Sequence, residues 1–270
     1  ALAFDKGGGV CGVLPYYRTR RLGVIPVIQL PPLTAYAGPW VHYPSNTGLK
    51  KNSRYGFEQE VLQQLIRQLP RVPFFHQTFR PEIQNWLPFY WSGFRQTTRY
   101  TYRLRVTEPL STLYTELKNT VRTDLRKAEA RTQVSQEEEP AIVFELNSRS
   151  FARKQRAQPY SREVFLQLHN ALRERGQARC LIAREPHTQT PQAGLYLAFD
   201  NREAAVVLAG FDPAHRAARA MTALYWEAIR FCSEKGLQLD FEGSMHPGIE
   251  SFFRAFGGDL TPYFRVWKFF

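Results

Sequence analysis

The feature that most constrains this chain is an internal repeat. Residues in its second half match the first at a constant spacing of 163 positions: Ile66-Arg67 with Ile229-Arg230, Phe89 with Phe252, Thr98 with Thr261, Tyr100 with Tyr263 and Ala35 with Ala198. The matches fall in order within equivalent predicted elements, which are three strands, a helix, a strand, a short aromatic helix and a strand, read twice. A tandem duplication of an α/β (α+β) unit follows, with its boundary near Thr107: residues 1–106 form the first copy and 107–270 the second. A length of 270 residues suits two domains of about 130 each. The first copy lacks the helices that open the second. The chain begins Ala1-Leu2-Ala3-Phe4 without Met or a secretory signal. It therefore reads as the interior of a longer protein.

Periodicity assigns the elements. Ala1–Lys6, Val10–Arg18 and Gly23–Leu30 read as meander strands, the first two separated by Gly7-Gly8-Gly9. A polar loop around Ser45–Ser53 leads to a helix over 55–69, where Phe57, Val61, Leu65 and Leu69 share one face and Pro70 stops it. Phe74–Phe79 and Thr97–Val106 are strands around a short helix at 82–93. In the second copy a long helix spans 107–130, with Leu113, Leu117, Val121 and Leu125 as its buried row. Glu137-Glu138-Glu139-Pro140 reads as a solvated acidic loop. Helices follow at 145–156 and 162–175, the second capped by Ser161. Strands are expected at Ala178–Arg184, Ala193–Phe199 and Ala204–Phe211. A helix over 217–235 closed by Gly236, strand Leu237–Phe241, a short helix over 247–256 and strand Tyr263–Phe269 complete the chain.

Several chemistries lose ground. Gly7-Gly8-Gly9-Val10-Cys11-Gly12 fits G-x-G-x-x-G, but Pro15 follows where a pyrophosphate-binding helix would have to start, so a hairpin is expected. The six histidines are scattered, and Cys11, Cys180 and Cys232 lie far apart in apolar runs. Neither metal spacing nor a disulfide framework is present, and no metal site is expected. No G-x-S-x-G elbow surrounds a serine. No run approaches the roughly 18 apolar residues of a membrane span, so no stable insertion is expected. The net charge of +12 points to an anionic partner, or serves solubility alone.

Three clusters carry candidate chemistry. Lys118, Arg122 and Arg126 recur every four residues beside the buried row of the 107–130 helix, and with Lys127 form a rim able to hold phosphate or carboxylate. Alternatively they are a solvated face pairing with Glu116 and Glu129. Asp240 and Glu242 stand two apart at a strand end, which by alternation directs both to one face. One carboxyl raised by its neighbour is a workable general base. The structural alternative is a helix cap, or pairing with Arg254 or Arg265. Gly243 is expected to admit a ligand close to the backbone. Finally, Asn85–Tyr100 is dense in aromatics with Arg interleaved. Most of these rings read as core, and Trp91, Arg95 and Arg99 read as the exposed members.

The stretches Leu30–Pro39, Trp86–Arg103, Asn119–Ala128 and Asp240–Arg254 together resemble the FemAB-like branch of the GNAT acyltransferase superfamily. The resemblance covers essentially the whole chain. It implies two tandem GNAT folds, each a mixed, mostly antiparallel sheet flanked by helices, with substrate between them. It also implies acyl or aminoacyl transfer onto an amine by direct attack, with Glu242 and Asp240 as base or amine-orienting groups. Tyr36 and Tyr263 are the candidate groove donors, Tyr263 counted with the catalytic set. Arg122, Arg126, Lys127, Trp91, Arg95 and Arg99 are candidates for holding an anionic acceptor. Family members that use acyl-CoA carry [QR]-x-x-G-x-[GA] at a helix start; here the position reads Arg216-Ala217-Ala218-Arg219-Ala220-Met221. Arg216 fits, whereas Arg219 and Met221 replace small residues. Acyl-CoA is the first co-substrate expected, bound by Arg216 and Arg219. Aminoacyl-tRNA, used by members that extend a peptidoglycan-precursor peptide, is the second. The acceptor expected is an anionic small molecule or cell-envelope precursor. The expected location is the cytoplasm, including the inner face of the membrane. A non-catalytic binder of RNA or another anionic ligand on the same scaffold is the rival reading.

Overall fold

The computed structural model describes residues 1–5, 7–43, 50–153, 155–243 and 245–270. Most of the polar loop expected around Ser45, and Ser244, lie outside the described residues. In chain order the first elements are β1 (Leu2–Phe4), β2 (Val10–Val13), β3 (Tyr17–Arg21), β4 (Ile25–Gln29), β5 (Trp40–Val41), α1 (Lys51–Arg67), β6 (Phe74–Thr78), α2 (Leu87–Trp91) and β7 (Arg95–Arg105). Then come α3 (Leu110–Glu116), α4 (Asn119–Glu129), β8 (Gln133–Gln136), α5 (Pro140–Arg153), α6 (Arg162–Arg173), β9 (Ala178–Arg184), β10 (Pro191–Phe199) and β11 (Glu203–Phe211). A 3-10 turn at Pro213–Ala218 leads to α7 (Ala220–Lys235), β12 (Gln238–Asp240), α8 (Pro247–Arg254) and β13 (Asp259–Phe269). The order helix, strand, helix, strand recurs as α1-β6-α2-β7 and α7-β12-α8-β13.

Two compact units result, Ala1–Arg99 with Pro262–Phe270, and Tyr100–Thr261. The expected division at Thr107 is displaced because strands join the unit that holds their ladder partners. β13 pairs antiparallel with β6, from Arg265↔Thr78 to Phe269↔Phe74. The far end of β7 pairs with β12 at Leu239↔Leu104 and Asp240↔Arg103.

In the first unit β1 and β2 form the expected glycine hairpin. Asp5 Oδ1 accepts from the Gly7 and Gly9 amides, both at 2.9 Å. The run Val10–Arg18 is not one strand. It breaks before Pro15, which cannot donate to a ladder, so β2 joins β1 and β5 while β3 pairs with β4 in another sheet. β4 and β6 are parallel. The core gathers Val61, Leu62 and Leu65 of α1 with Ile28, Phe75, Phe79 and Phe89.

The second unit carries the ladder β7-β12-β11-β10-β9-β8, in which only β11 and β12 run parallel. The long helix expected over 107–130 is two. Leu117 and Lys118 are extended (ψ 138° and 141°), and the Lys118 amide donates to Ala255 O at 3.0 Å. Leu113, Leu117, Val121 and Leu125 are nonetheless all buried. β8 occupies a segment expected to be loop, and the acidic run beyond it is not simply solvated. Glu137 accepts from Arg184 at 2.9 and 2.6 Å, which holds its carboxyl below the usual range. Ser161 caps α6 by accepting from the Val164 amide, and Gly236 ends α7 at φ 66°. Gly194 and Gly210 are cross-strand partners under α5. A Cβ at Gly210 would lie 2.3 Å from the Asn147 amide nitrogen, so this pair sets how closely the helix seats on the sheet.

Candidate active site

β11 and β12 pair over three residues only, ending at Ala205↔Asp240. β11 then continues to Phe211, with a register shift opposite Tyr196 and Leu197, while β12 stops. Parallel strands that part at their C-terminal ends leave a crevice, and the helix joining them starts beside it. In the second unit this crevice is a cleft of about 720 Å³. Val206, Val207 and Phe211 line it from β11, Ala220 to Thr222 and Tyr225 from α7, and Phe241 to Gly243 from the loop after β12.

The Asp240–Gly243 segment is held by a buried network. Asp240 is 1% exposed and accepts from Thr101 Oγ1 at 2.6 Å, Arg103 Nε at 2.9 Å and the Glu242 amide at 2.8 Å. The Gly243 amide donates to Thr101 Oγ1 at 2.9 Å. A Cβ on Gly243 would fall 2.2 Å from Tyr100 O, so the absence of a side chain here lets the backbone of β7 come close. The clamp turns the chain at Glu242, whose φ of 54° is left-handed. Alternation therefore fails after Asp240. Asp240 is spent on Arg103, not Arg254 or Arg265, while Glu242 lines the cleft. Burial first, then the Asp240 and Glu203 carboxylates, raise the Glu242 carboxyl to about 8. It can thus take or hold a proton near neutrality.

The expected Arg216–Met221 segment lies on the same cleft. Arg219 takes φ 61°, the backbone glycine adopts without strain, so the turn before α7 is kept where the resemblance has Gly. Its side chain turns to Asp124, Nε to Oδ1 3.2 Å. Arg216 makes no ion pair among the described residues, and Ala220 and Met221 open α7, where amides lack intrahelical acceptors. Arg153 also lines the cleft, its guanidinium 5.1 Å over the Phe211 ring.

The remaining candidates are placed elsewhere. Arg122 donates to Thr115 O at 2.8 Å and to Asn119, and Arg126 to Thr123 Oγ1 at 3.5 Å. With Lys127 they do not line the cleft; Asp124, on the same helix α4, does. With Lys118 displaced to the cap of α4, the four-residue cation row is broken. In the first unit Tyr36 and Tyr263 meet edge to face, with ring centroids 5.1 Å apart. Trp91 and Arg95 are exposed and Arg99 half-buried. Arg99 and Arg265 face His76, and burial with these cations lowers that imidazole to about 4. Its Nε2 accepts from Arg265 Nε at 2.8 Å.

Sequence reasoning missed Asp124, Arg153 and Tyr225. Tyr225 reads as core in an Ala-rich helix and is indeed buried. Burial and the Glu242 charge raise its hydroxyl well above the usual range. Cys180 and Cys232 are buried thiols pushed up to about 12, unsuited to nucleophilic work.

A family model for the acetyltransferase (GNAT) domain matches residues 115–254, just over half the chain, and the chain belongs to that family. This places it in the GNAT acyltransferase superfamily. Three solved structures share its tandem GNAT fold. FemX has a TM-score of 0.68 at 13% identity, covering 97% of this chain and 86% of that one. L-PGS from Bacillus licheniformis has 0.58 at 12%, covering 98% and 82%. A tandem GNAT protein from the clavulanic acid biosynthesis pathway has 0.55 at 13%, covering 97% and 80%. No curated protein sequence matches the chain. Among the described residues no helix is long and apolar enough to cross a membrane.

Proposed function

We propose that this protein transfers an acyl group from acyl-CoA to a primary amine in the cleft between β11 and β12. One observation carries the reading: a single cleft holds a carboxyl raised to about 8 and, at a helix start, Arg216, which makes no ion pair among the described residues. A phosphorylated donor suits that helix start, because amide donors, the helix dipole and Arg216 favour anionic oxygens together. The kept turn at Arg219 supports the fit, and Asp124 neutralises the Arg219 side chain, leaving Arg216 and Arg153 to meet phosphate.

The chemistry needs no covalent enzyme intermediate. The amine nitrogen attacks the thioester carbonyl, and Glu242, once ionised, takes the proton the nitrogen sheds. The C–S bond then breaks, and the departing thiolate takes a proton; Tyr225, kept protonated by burial, is the candidate donor. Asp240 acts through its grip on the Glu242 amide and is a positioning residue. The proposed acceptor is an amine on an anionic small molecule or cell-envelope precursor.

The same cations suit the phosphates of an aminoacyl-tRNA, and the net charge of +12 favours that donor as a second reading. A purely binding role leaves the raised carboxyl without a use. The test is thiol release from acetyl-CoA with a panel of primary amines, comparing wild type with Glu242→Gln. Amine-dependent release, lowered at least 100-fold in the variant, supports the reading. Transfer from aminoacyl-tRNA without thiol release supports the second donor, and no transfer from either leaves the binder.

A further inference from the structure

The hairpin β3–β4 in the first unit presents a combination that folding alone does not require. The strands pair from Tyr17↔Gln29 to Arg21↔Ile25 around the three-residue loop Leu22-Gly23-Val24, in which Leu22 and Gly23 are the central residues of a turn closed by the Val24 amide donating to Arg21 O at 3.3 Å. Both turn residues have positive φ, 51° at Leu22 and 74° at Gly23. Asn, Asp and Gly accept this backbone with least strain, and Asn-Gly is the preferred pair. Leucine is a poor choice here on backbone grounds. It is equally poor on solvation grounds, since Leu22 is 84% exposed and Val24 beside it 74%. Ile25 and Tyr17 are exposed as well.

Behind this apolar tip stand Arg18, Arg20 and Arg21, none in an ion pair among the described residues. No Asp or Glu occurs anywhere between Asp5 and Glu58. β3 is an outer strand of its sheet, and arginines protect an outer strand against edge-to-edge pairing. That need explains the cations and leaves Leu22 and Val24 unexplained. An apolar tip with a basic collar suits an anionic lipid surface. There the tip enters the acyl boundary and the guanidinium groups meet phosphate. We infer that the Tyr17–Gln29 hairpin docks this protein on an anionic lipid surface. The inference is independent of the acyl-transfer reading, since no hairpin residue lines the cleft.

The test is co-sedimentation of the full chain with vesicles of phosphatidylcholine alone and of phosphatidylcholine with an equal share of phosphatidylglycerol. Partition onto the anionic vesicles only is expected. Leu22→Asn lowers it about ten-fold while the thermal midpoint stays or rises, because Asn suits the turn better. Arg20→Gln lowers it about five-fold. Neither variant alters thiol release with a water-soluble amine, so failure here and failure of the acyl-transfer reading are distinguishable. Absence of partition overturns the inference. So does a Leu22→Asn chain that partitions like wild type. Capture by single-stranded RNA in place of vesicles, lost in Arg20→Gln and kept in Leu22→Asn, overturns it in favour of a nucleic-acid face.

Discussion

Replacing Glu242 by glutamine separates the electrostatics of the cleft from its chemistry. In the folded chain the carboxyl is raised from its ordinary 4.5 to about 8, by burial and by the Asp240 and Glu203 carboxylates. The unfolded chain ionises this group near 4.5, so between pH 4.5 and 8 the folded form binds more protons there. Stability tied to the group is therefore full below about 4.5 and is lost as pH rises through 8. A displacement from 4.5 to about 8 corresponds to an upper limit of about 5 kcal/mol. Water in the open cleft screens this to about 2 kcal/mol. Glutamine keeps the shape and stays neutral, so its stability relative to wild type is near zero at pH 4.5 and gains about 2 kcal/mol by pH 9. Urea denaturation of both chains at pH 4.5, 6, 7.5 and 9 reads this difference. The same variant loses at least 100-fold in activity, and wild-type kcat/KM rises with pH toward about 8 as the free carboxyl ionises. A stability difference that is flat across the range refutes the raised carboxyl. A rising kcat/KM limb kept in Glu242→Gln refutes its role as base.

Other perturbations follow from the same geometry. Gly210→Ala places a Cβ against the α5 backbone at Asn147 and costs about 3 kcal/mol in a urea titration, because a helix cannot yield as a side chain does. Asp240→Ala removes the carboxylate that Arg103 Nε holds at 2.9 Å in the interior and costs about 3–5 kcal/mol, with loss of activity at any pH. Tyr225→Phe lowers kcat for thiol release by at least ten-fold and leaves KM for the donor unchanged, if its hydroxyl protonates the leaving group.

Much of the fold was legible because local signals agreed with tertiary needs. Strand Ala178–Arg184 was bounded as observed, Ser161 capped its helix, and Gly236 closed α7. Errors came where distant partners decide. Nothing local shows that the Lys118 amide bonds Ala255 and breaks the long helix, or that β13 leaves the second unit to pair with β6. For the site, Glu242 and Arg216 were visible in sequence, but their sharing one cleft was not. Period-two alternation put Asp240 and Glu242 on one face, and it failed because Thr101, from a strand 139 residues earlier, folds Glu242 into left-handed backbone. Asp124 and Arg153 carry no signal of their own, since charges on helices ordinarily read as solvated.

Whether the start of α7 binds the donor is read by isothermal titration of CoA into the protein at low and moderate salt, with Arg216→Ala beside wild type. Saturable one-to-one binding to wild type is expected, weakened about ten-fold in Arg216→Ala by loss of a charge-assisted contact. Absence of binding at millimolar CoA, or binding that Arg216→Ala leaves unchanged, contradicts a donor site at the start of α7.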